Sequence, residues 1–180
     1  MNIFDLQNEP VLIENYQSTF LILKHEHKIY RFDLIDKKEF SLKKGTSGQL
    51  SYFHEHPLLI DHNENVIMTY INSKPIFLES FVEDIKSAID KICHGWRDWT
   101  NYVTDKRINF SYETFIENVN SGSGRLLEAP YSITQDVIDV CKKHNVATKT
   151  FNNELQKYDY KLVTIGNNFV IAKEFRFSDL

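Results

Sequence analysis

The stretch PIFLESFVEDIKSAIDKICHG, residues 75–95, is the most informative part of the sequence for the fold. The apolar residues before it recur about every two residues, as in strands, whereas within it they recur about every 3.6 residues, as in a helix. Its apolar residues fall on one stripe of a helix, and its charged residues lie mostly off that stripe. The stripe consists of Leu78, Phe81, Val82, Ile85, Ile89 and Ile92. Pro75 suits a first helical turn, and Gly95 suits the position just after the last one. The pattern predicts one long helix that lies across a face of a sheet.

The chain before this helix is typical of antiparallel strands joined by short loops. β-Branched and aromatic segments flank polar loops of about five residues, as in hairpins. Three hairpins are predicted: residues 20–23 with 29–35, residues 39–42 with 49–53, and residues 57–60 with 66–71. Together these hairpins predict an antiparallel meander.

The chain after the long helix predicts further helices. Ser132 and Gln135 have the spacing of a capping box, which indicates that a second helix begins at Ser132. Asn145 can adopt the left-handed conformation that ends such a helix. Residues 112–119 could form a short helix before the segment Ser121-Gly122-Ser123-Gly124-Arg125, which we interpret as a flexible loop rather than an anion site.

The last part of the chain predicts a hairpin. Residues 162–165 and 169–172 flank Gly166-Asn167, a pair that suits a two-residue turn. In the final strand, alternation is expected to place Phe169, Ile171, Phe175 and Phe177 on one buried face.

These elements predict the α+β fold class. We expect a largely antiparallel β-sheet, beginning with an N-terminal meander and packed by the long central helix, then a second helix and a C-terminal β-hairpin. The length fits a single domain over residues 1–180. If the domain has two lobes, the seam is expected between residues 95 and 124.

The charge of the chain argues against nucleic-acid binding. Its 180 residues include 21 Lys and Arg against 25 Asp and Glu, whereas nucleic-acid-binding proteins carry a basic patch. No apolar run is long enough to span a membrane, and the first residues have no secretory signal pattern. We therefore expect a soluble, cytoplasmic protein that binds neither nucleic acid nor membranes. Cys93 and Cys141 lie in apolar helical patterns and are expected to be buried, unpaired thiols.

A repeated His-Glu-His pattern is a candidate metal site. It occurs at residues 25–27, in a predicted turn, and at residues 54–56, with His62 nearby. Because residues i and i+2 of a strand share a face, His54 and His56 could give two imidazoles to one divalent transition metal, with His62 as a further ligand. The alternative is that these histidines are solvated loop residues.

The segment Trp96-Arg97-Asp98-Trp99, with Tyr102 beyond it, is a candidate binding site. Trp96 and Trp99 are three residues apart and would share a helical face. Tryptophan and arginine are the residue types most enriched in protein-binding hot spots. The predicted binding residues are Trp96, Arg97, Trp99 and Tyr102. The alternative is that both indoles belong to the core.

No motif for nucleophilic catalysis is present, so no catalytic residue is predicted. The leading hypothesis is a non-catalytic protein-binding module, such as an inhibitor, adaptor or immunity-type protein, with a protein partner and no cofactor. One alternative is a metal-dependent enzyme that uses the His-x-His ligands. Another is a small-ligand-binding domain with its cleft between the long helix and the sheet.

Overall fold

The computed structural model describes residues 6–152 and 158–180, and the chain divides into two compact units. The first unit contains Met1–Leu59 and Tyr158–Leu180, and the second contains Ile60–Lys157. The chain therefore leaves the first unit and later returns to it. Residues 95–124, where a seam was expected, lie inside the second unit.

The chain contains nine strands and five α-helices among the described residues. The strands are β1 (Pro10–Tyr16), β2 (Phe20–His25), β3 (Lys28–Ser41), β4 (Ser47–Phe53), β5 (Val66–Ile71), β6 (Gly124–Pro130), β7 (Thr148–Asn152), β8 (Lys161–Ile165) and β9 (Asn168–Asp179). The helices are α1 (Pro57–Asn63), α2 (Leu78–Cys93), α3 (Thr100–Val103), α4 (Tyr112–Ser121) and α5 (Tyr131–Lys143), with a 3₁₀ turn at Lys106–Ile108. The α+β class and the antiparallel sheets are as the sequence predicts.

The first unit is a closed barrel of six strands in the order β1-β2-β3-β9-β8-β4. All of its neighbouring strands are antiparallel. The predicted hairpin of β2 and β3 is confirmed, and so is that of β8 and β9, which pair Ile165 with Asn168 across the two-residue turn. Gly166 has a φ of 56° in this turn, a conformation that strongly favours glycine.

Two of the three N-terminal hairpin predictions are wrong. β4 does not pair with β3 but with β1 and β8, which closes the barrel. Closure satisfies strand edges that a simple meander would leave open. Residues 57–60 form the start of α1 instead of a strand, because a short apolar run fits either element. Leu58 and Leu59 are buried there against Tyr160 and Leu162.

The barrel interior is filled by side chains that alternate along the strands, among them Ile13, Leu21, Leu23, Phe32 and Leu50. β9 departs from the predicted single apolar face. Its Val170 and Ala172 belong to the interior cluster, whereas Phe169 and Ile171 pack with α1 residues on the other side. Phe175 and Phe177 again pack against the interior cluster, so the buried face changes along the strand.

The second unit has a three-stranded antiparallel sheet in the order β6-β5-β7, with α2 to α5 forming a core against it. The predicted stripe of α2 is confirmed by its fully buried Phe81, Ile85 and Ile89. The helix begins at Leu78, three residues after Pro75, because Phe77 is still extended. It ends at Cys93, since His94 and Gly95 both have positive φ.

Helix α5 begins differently from the prediction. It starts at Tyr131, directly after β6, and no side chain of its own caps it. The backbone N–H of Ser132 donates to Oε2 of Glu64 at 2.8 Å, so this carboxylate takes the place of the expected capping box. The predicted end is confirmed, because Asn145 has a φ of 55°.

Both cysteines are buried and unpaired, as expected. Burial raises the pKa of the Cys141 thiol to about 12. Within residues 6–152 and 158–180, no helix is long and apolar enough to cross a membrane.

Candidate functional site

The structure places the first pair of candidate histidines at a hairpin turn. Glu26, with a φ of 53°, and His27 form the turn between β2 and β3. His25 is the last residue of β2, and its Nδ1 lies 2.9 Å from the carbonyl oxygen of Pro10. These residues are exposed or half-buried, as expected for a turn.

The second pair lies beyond the end of β4, in the segment that leads into α1. The rule that places residues i and i+2 on one strand face therefore does not apply to His54 and His56. The His54 ring packs edge-on against Tyr52, and Nδ1 of His56 accepts a hydrogen bond from the N–H of Leu58 at 3.2 Å. His62 lies in the last turn of α1.

Among the residues that the structure describes, no group of three or more His, Cys, Asp or Glu side chains could hold a metal ion. Metal binding by His54, His56 and His62 stays a prediction, and the geometry adds no support to it.

The two tryptophans lie in the turn between α2 and α3 rather than on a common helical face. The left-handed residues His94 and Gly95 end the helix before Trp96, which is why the predicted spacing argument fails. Trp99 packs edge-on against Tyr112 and Phe115. Trp96 has 36% of its surface exposed.

Arg97 and Tyr102, the other two candidates, converge on one carboxylate of α1. Nε of Arg97 donates to Oδ2 of Asp61 at 3.1 Å, and the Tyr102 hydroxyl donates to Oδ1 at 3.0 Å. Burial raises the pKa of Asp61, and burial raises that of Tyr102 well above its usual range. Tyr102 is 5% exposed, and partner binding through Arg97 and Tyr102 stays a prediction.

One accessible surface for a partner is the outer edge of the sheet in the second unit. β7 pairs with β5 on one side, and no other strand among the described residues pairs with it. Four of its five residues are exposed. The opposite outer strand, β6, is mostly buried and packs against α3, α4 and α5. β7 therefore presents an accessible row of backbone N–H and C=O groups.

An apolar groove lies on the sheet face beside this edge. Antiparallel pairing places Met68 opposite Phe151, and Tyr70 opposite Lys149, on the same face. With Asn72 these residues line a cavity of about 420 Å³. The other face of β5 carries Ile67, Thr69 and Ile71, which are buried.

Contacts within the groove hold its walls in place. The rings of Tyr70 and Phe151 meet edge-on with centroids 5.6 Å apart. The Tyr70 hydroxyl donates to the sulfur of Met68 at 3.1 Å, and Nζ of Lys149 lies 4.8 Å from the centre of the Phe151 ring. Phe151 nevertheless has 46% of its surface exposed. The groove is thus a preformed aromatic surface with one cation at its rim.

A loop with further exposed apolar side chains begins at the end of this groove. The N–H of Asn72 donates to the carbonyl of Ala147, and the N–H of Ala147 donates to Oγ of Ser73. These bonds hold the start of the loop against the residue that precedes β7. Farther along the loop, Ile76 and Phe77 are 77% and 69% exposed. Exposed apolar residues of this size are typical of interaction surfaces when they are grouped.

The sequence analysis did not identify β7 or the groove. The alternation of Thr148, Lys149, Thr150 and Phe151 is a weak strand signal that could have indicated β7. The predicted strand over residues 66–71 carries apolar side chains on both faces, which was a signal for a second apolar surface. Which strand forms an open edge depends on tertiary pairing, which local pattern does not show.

Comparison with protein-family models, with curated protein sequences and with solved structures gives no significant match.

Proposed function

We propose that this protein is a non-catalytic protein-binding module that accepts an extended segment of a partner as an added strand beside β7. The observation that carries the proposal is the accessible edge of β7 next to a preformed apolar groove. In this mode of recognition, backbone hydrogen bonds supply affinity and side-chain pockets supply specificity. An inhibitor, an adaptor or an immunity-type protein could each act through such a surface.

The chemistry of the groove defines the partner segment. Side chains of an added strand alternate between the two sheet faces, so every second residue would face the groove. An apolar side chain there would pack on Met68, Tyr70 and Phe151. An acidic side chain would be favoured at the rim, because Lys149 is the charged residue of the groove. We therefore expect a segment with an apolar residue and an acidic residue two positions apart, so that both face the groove.

The first test selects ligands from a random peptide library displayed on phage, with the full-length chain immobilised. The selected peptides are expected to share an apolar and an acidic residue two positions apart. Their affinity should fall at least tenfold, about 1.4 kcal/mol, in Phe151→Asp, because a charge would occupy the apolar groove. The matched control is Phe40→Asp, at a residue of similar exposure on β3 in the first unit.

Two results would contradict the proposal: the failure of any peptide to be enriched, and equal binding by the wild type and Phe151→Asp. Equal losses in Phe151→Asp and Phe40→Asp would also count against it, because the loss would then not depend on the groove.

A charge-reversal variant tests the expected acidic residue. Lys149 is exposed, so Lys149→Glu is expected to fold normally. Selection against this variant should enrich peptides with a basic residue where the wild type enriches an acidic one. Unchanged peptide sequences would show that Lys149 does not contact the partner.

A further inference from the structure

A second cavity, separate from the groove beside β7, lies between α3, the 3₁₀ turn and β6 in the second unit. It has a volume of about 490 Å³, within the range of small-molecule sites. Val66 and Pro130 contribute apolar surface to it. Its ionisable lining residues are Asp61, Tyr102, Asp105, Arg107, Arg125 and Glu128. The cavity is therefore lined by charged groups of both signs.

Two arginines and two carboxylates form one network on this lining. Arg107 donates to Asp105 through both Nε and Nη2, each at 3.0 Å. Nη1 of Arg125 lies 3.7 Å from Oδ2 of Asp105, and Nη2 of Arg125 donates to Oε2 of Glu128. The hydrogen bond from Arg107 holds the pKa of Asp105 below its usual range, so this carboxylate is charged at neutral pH.

Arg125 is the residue that points to a ligand. Its surface is only 8% exposed, and its guanidinium lies over the Phe110 ring, 5.1 Å from the centroid. Its Nε has no hydrogen-bond acceptor among the described residues. A buried guanidinium usually has all its donors satisfied, so this one lacks an acceptor. Arg107, by contrast, has 80% of its side chain exposed, so its guanidinium is accessible to a ligand.

We propose that this cavity binds a zwitterionic ligand of the α-amino-acid class. The ligand carboxylate would accept hydrogen bonds from the exposed guanidinium of Arg107 and from the Nη groups of Arg125. Its ammonium group would lie against Asp105 and Glu128, and its side chain against the apolar surface of Val66. A ligand with only one kind of charge would pair with one half of this network and face the charges of its own sign in the other half, which disfavours simple anions and simple amines.

The test is calorimetric titration of the full-length protein with the free L-amino acids, one at a time. At least one is expected to bind, and its N-acetyl and carboxamide derivatives, which each lack one charge, should bind at least tenfold more weakly. Arg107→Gln should weaken binding about fivefold or more, because it removes the exposed guanidinium that would bind the ligand carboxylate. The matched control is Arg176→Gln, which breaks an exposed ion pair with Glu174 in the first unit.

Three outcomes would overturn the inference. The first is that no amino acid binds at concentrations up to about 10 mM. The second is that acetate or inorganic phosphate binds as well as the best amino acid, which would mark a simple anion site. The third is equal binding by the wild type and Arg107→Gln. Phe151→Asp should leave amino-acid binding unchanged, so this inference and the strand-addition proposal can fail independently.

Discussion

At the residue scale, the structure reassigns residues that the sequence pattern had marked for other roles. Ser132 has the sequence pattern of a helix cap, yet its buried Oγ has no hydrogen-bond partner within residues 6–152 and 158–180, and its N–H donates to Glu64 instead. Arg97 and Tyr102 both bind the carboxylate of Asp61, and their role in binding a partner stays a prediction. In both cases the residue bonds to a carboxylate distant in sequence, through the backbone N–H of Ser132 and through the side chains of Arg97 and Tyr102. Local spacing alone does not contain that information.

The cap of α5 gives a prediction at this scale. Glu64→Ala should lower the free energy of unfolding by about 1 kcal/mol, because it removes the acceptor for the Ser132 N–H. Ser132→Ala, the matched control, should have little effect or stabilise slightly, since it removes a hydroxyl that has no partner. Urea unfolding curves of the two variants measure this. A larger loss of unfolding free energy in Ser132→Ala than in Glu64→Ala would contradict this prediction and support a capping role for the Ser132 side chain.

At the element scale, the elements whose signals are local were predicted well. α2 has a stripe of apolar residues at helical spacing, and β8 and β9 are joined by a turn pair that almost specifies its own geometry. The hairpin of residues 39–42 with 49–53 failed because β4 pairs with strands far away in sequence. The strand predicted over residues 57–60 is wrong because four apolar residues in a row show no periodicity that distinguishes a helix from a strand.

The packing of α2 on α5 gives a pH-dependent prediction. Asp84 on α2 accepts hydrogen bonds from Lys143 and from Nε2 of His144, each at 2.7 Å. The bonds from Lys143 and then from His144 lower the pKa of Asp84 below its ordinary value of 3.8. A lowered carboxyl pKa stabilises the fold above the unfolded-state pKa, and this stabilisation is lost as the pH falls through the folded-state value.

Asp84→Asn should therefore lower the melting temperature at pH 7, and its effect should shrink as the pH falls further below 3.8 and the wild-type carboxyl takes up a proton. Asp139→Asn is the matched control, because Asp139 is 71% exposed and pairs only within α5 with Lys142. The measurement is thermal unfolding across this pH range. If the difference in melting temperature between Asp84→Asn and the wild type stayed constant with pH, the stabilising role of the Asp84 carboxylate would be contradicted.

At the scale of the whole molecule, the fold class followed from composition and periodicity, whereas the two units did not. The barrel is closed by the pairing of β1 with β4 and of β3 with β9, which joins distant parts of the chain. The second unit is inserted between β4 and β8. Barrel closure gives each of its six strands a neighbour on both sides, whereas β7 pairs only with β5 among the residues that the structure describes. That contrast is why the proposed binding surface lies on β7.

The measurement that tests this central claim most directly is backbone amide hydrogen exchange of the full-length protein, with and without a saturating selected peptide. If the peptide adds as a strand beside β7, the amides of Thr148–Asn152 should exchange more slowly, because new hydrogen bonds would form on the side of β7 away from β5. Exchange in β6, the buried outer strand, should not change. If exchange slowed around Trp96 and stayed unchanged in β7, strand addition at β7 would be contradicted. The turn between α2 and α3 would then be favoured as the binding site.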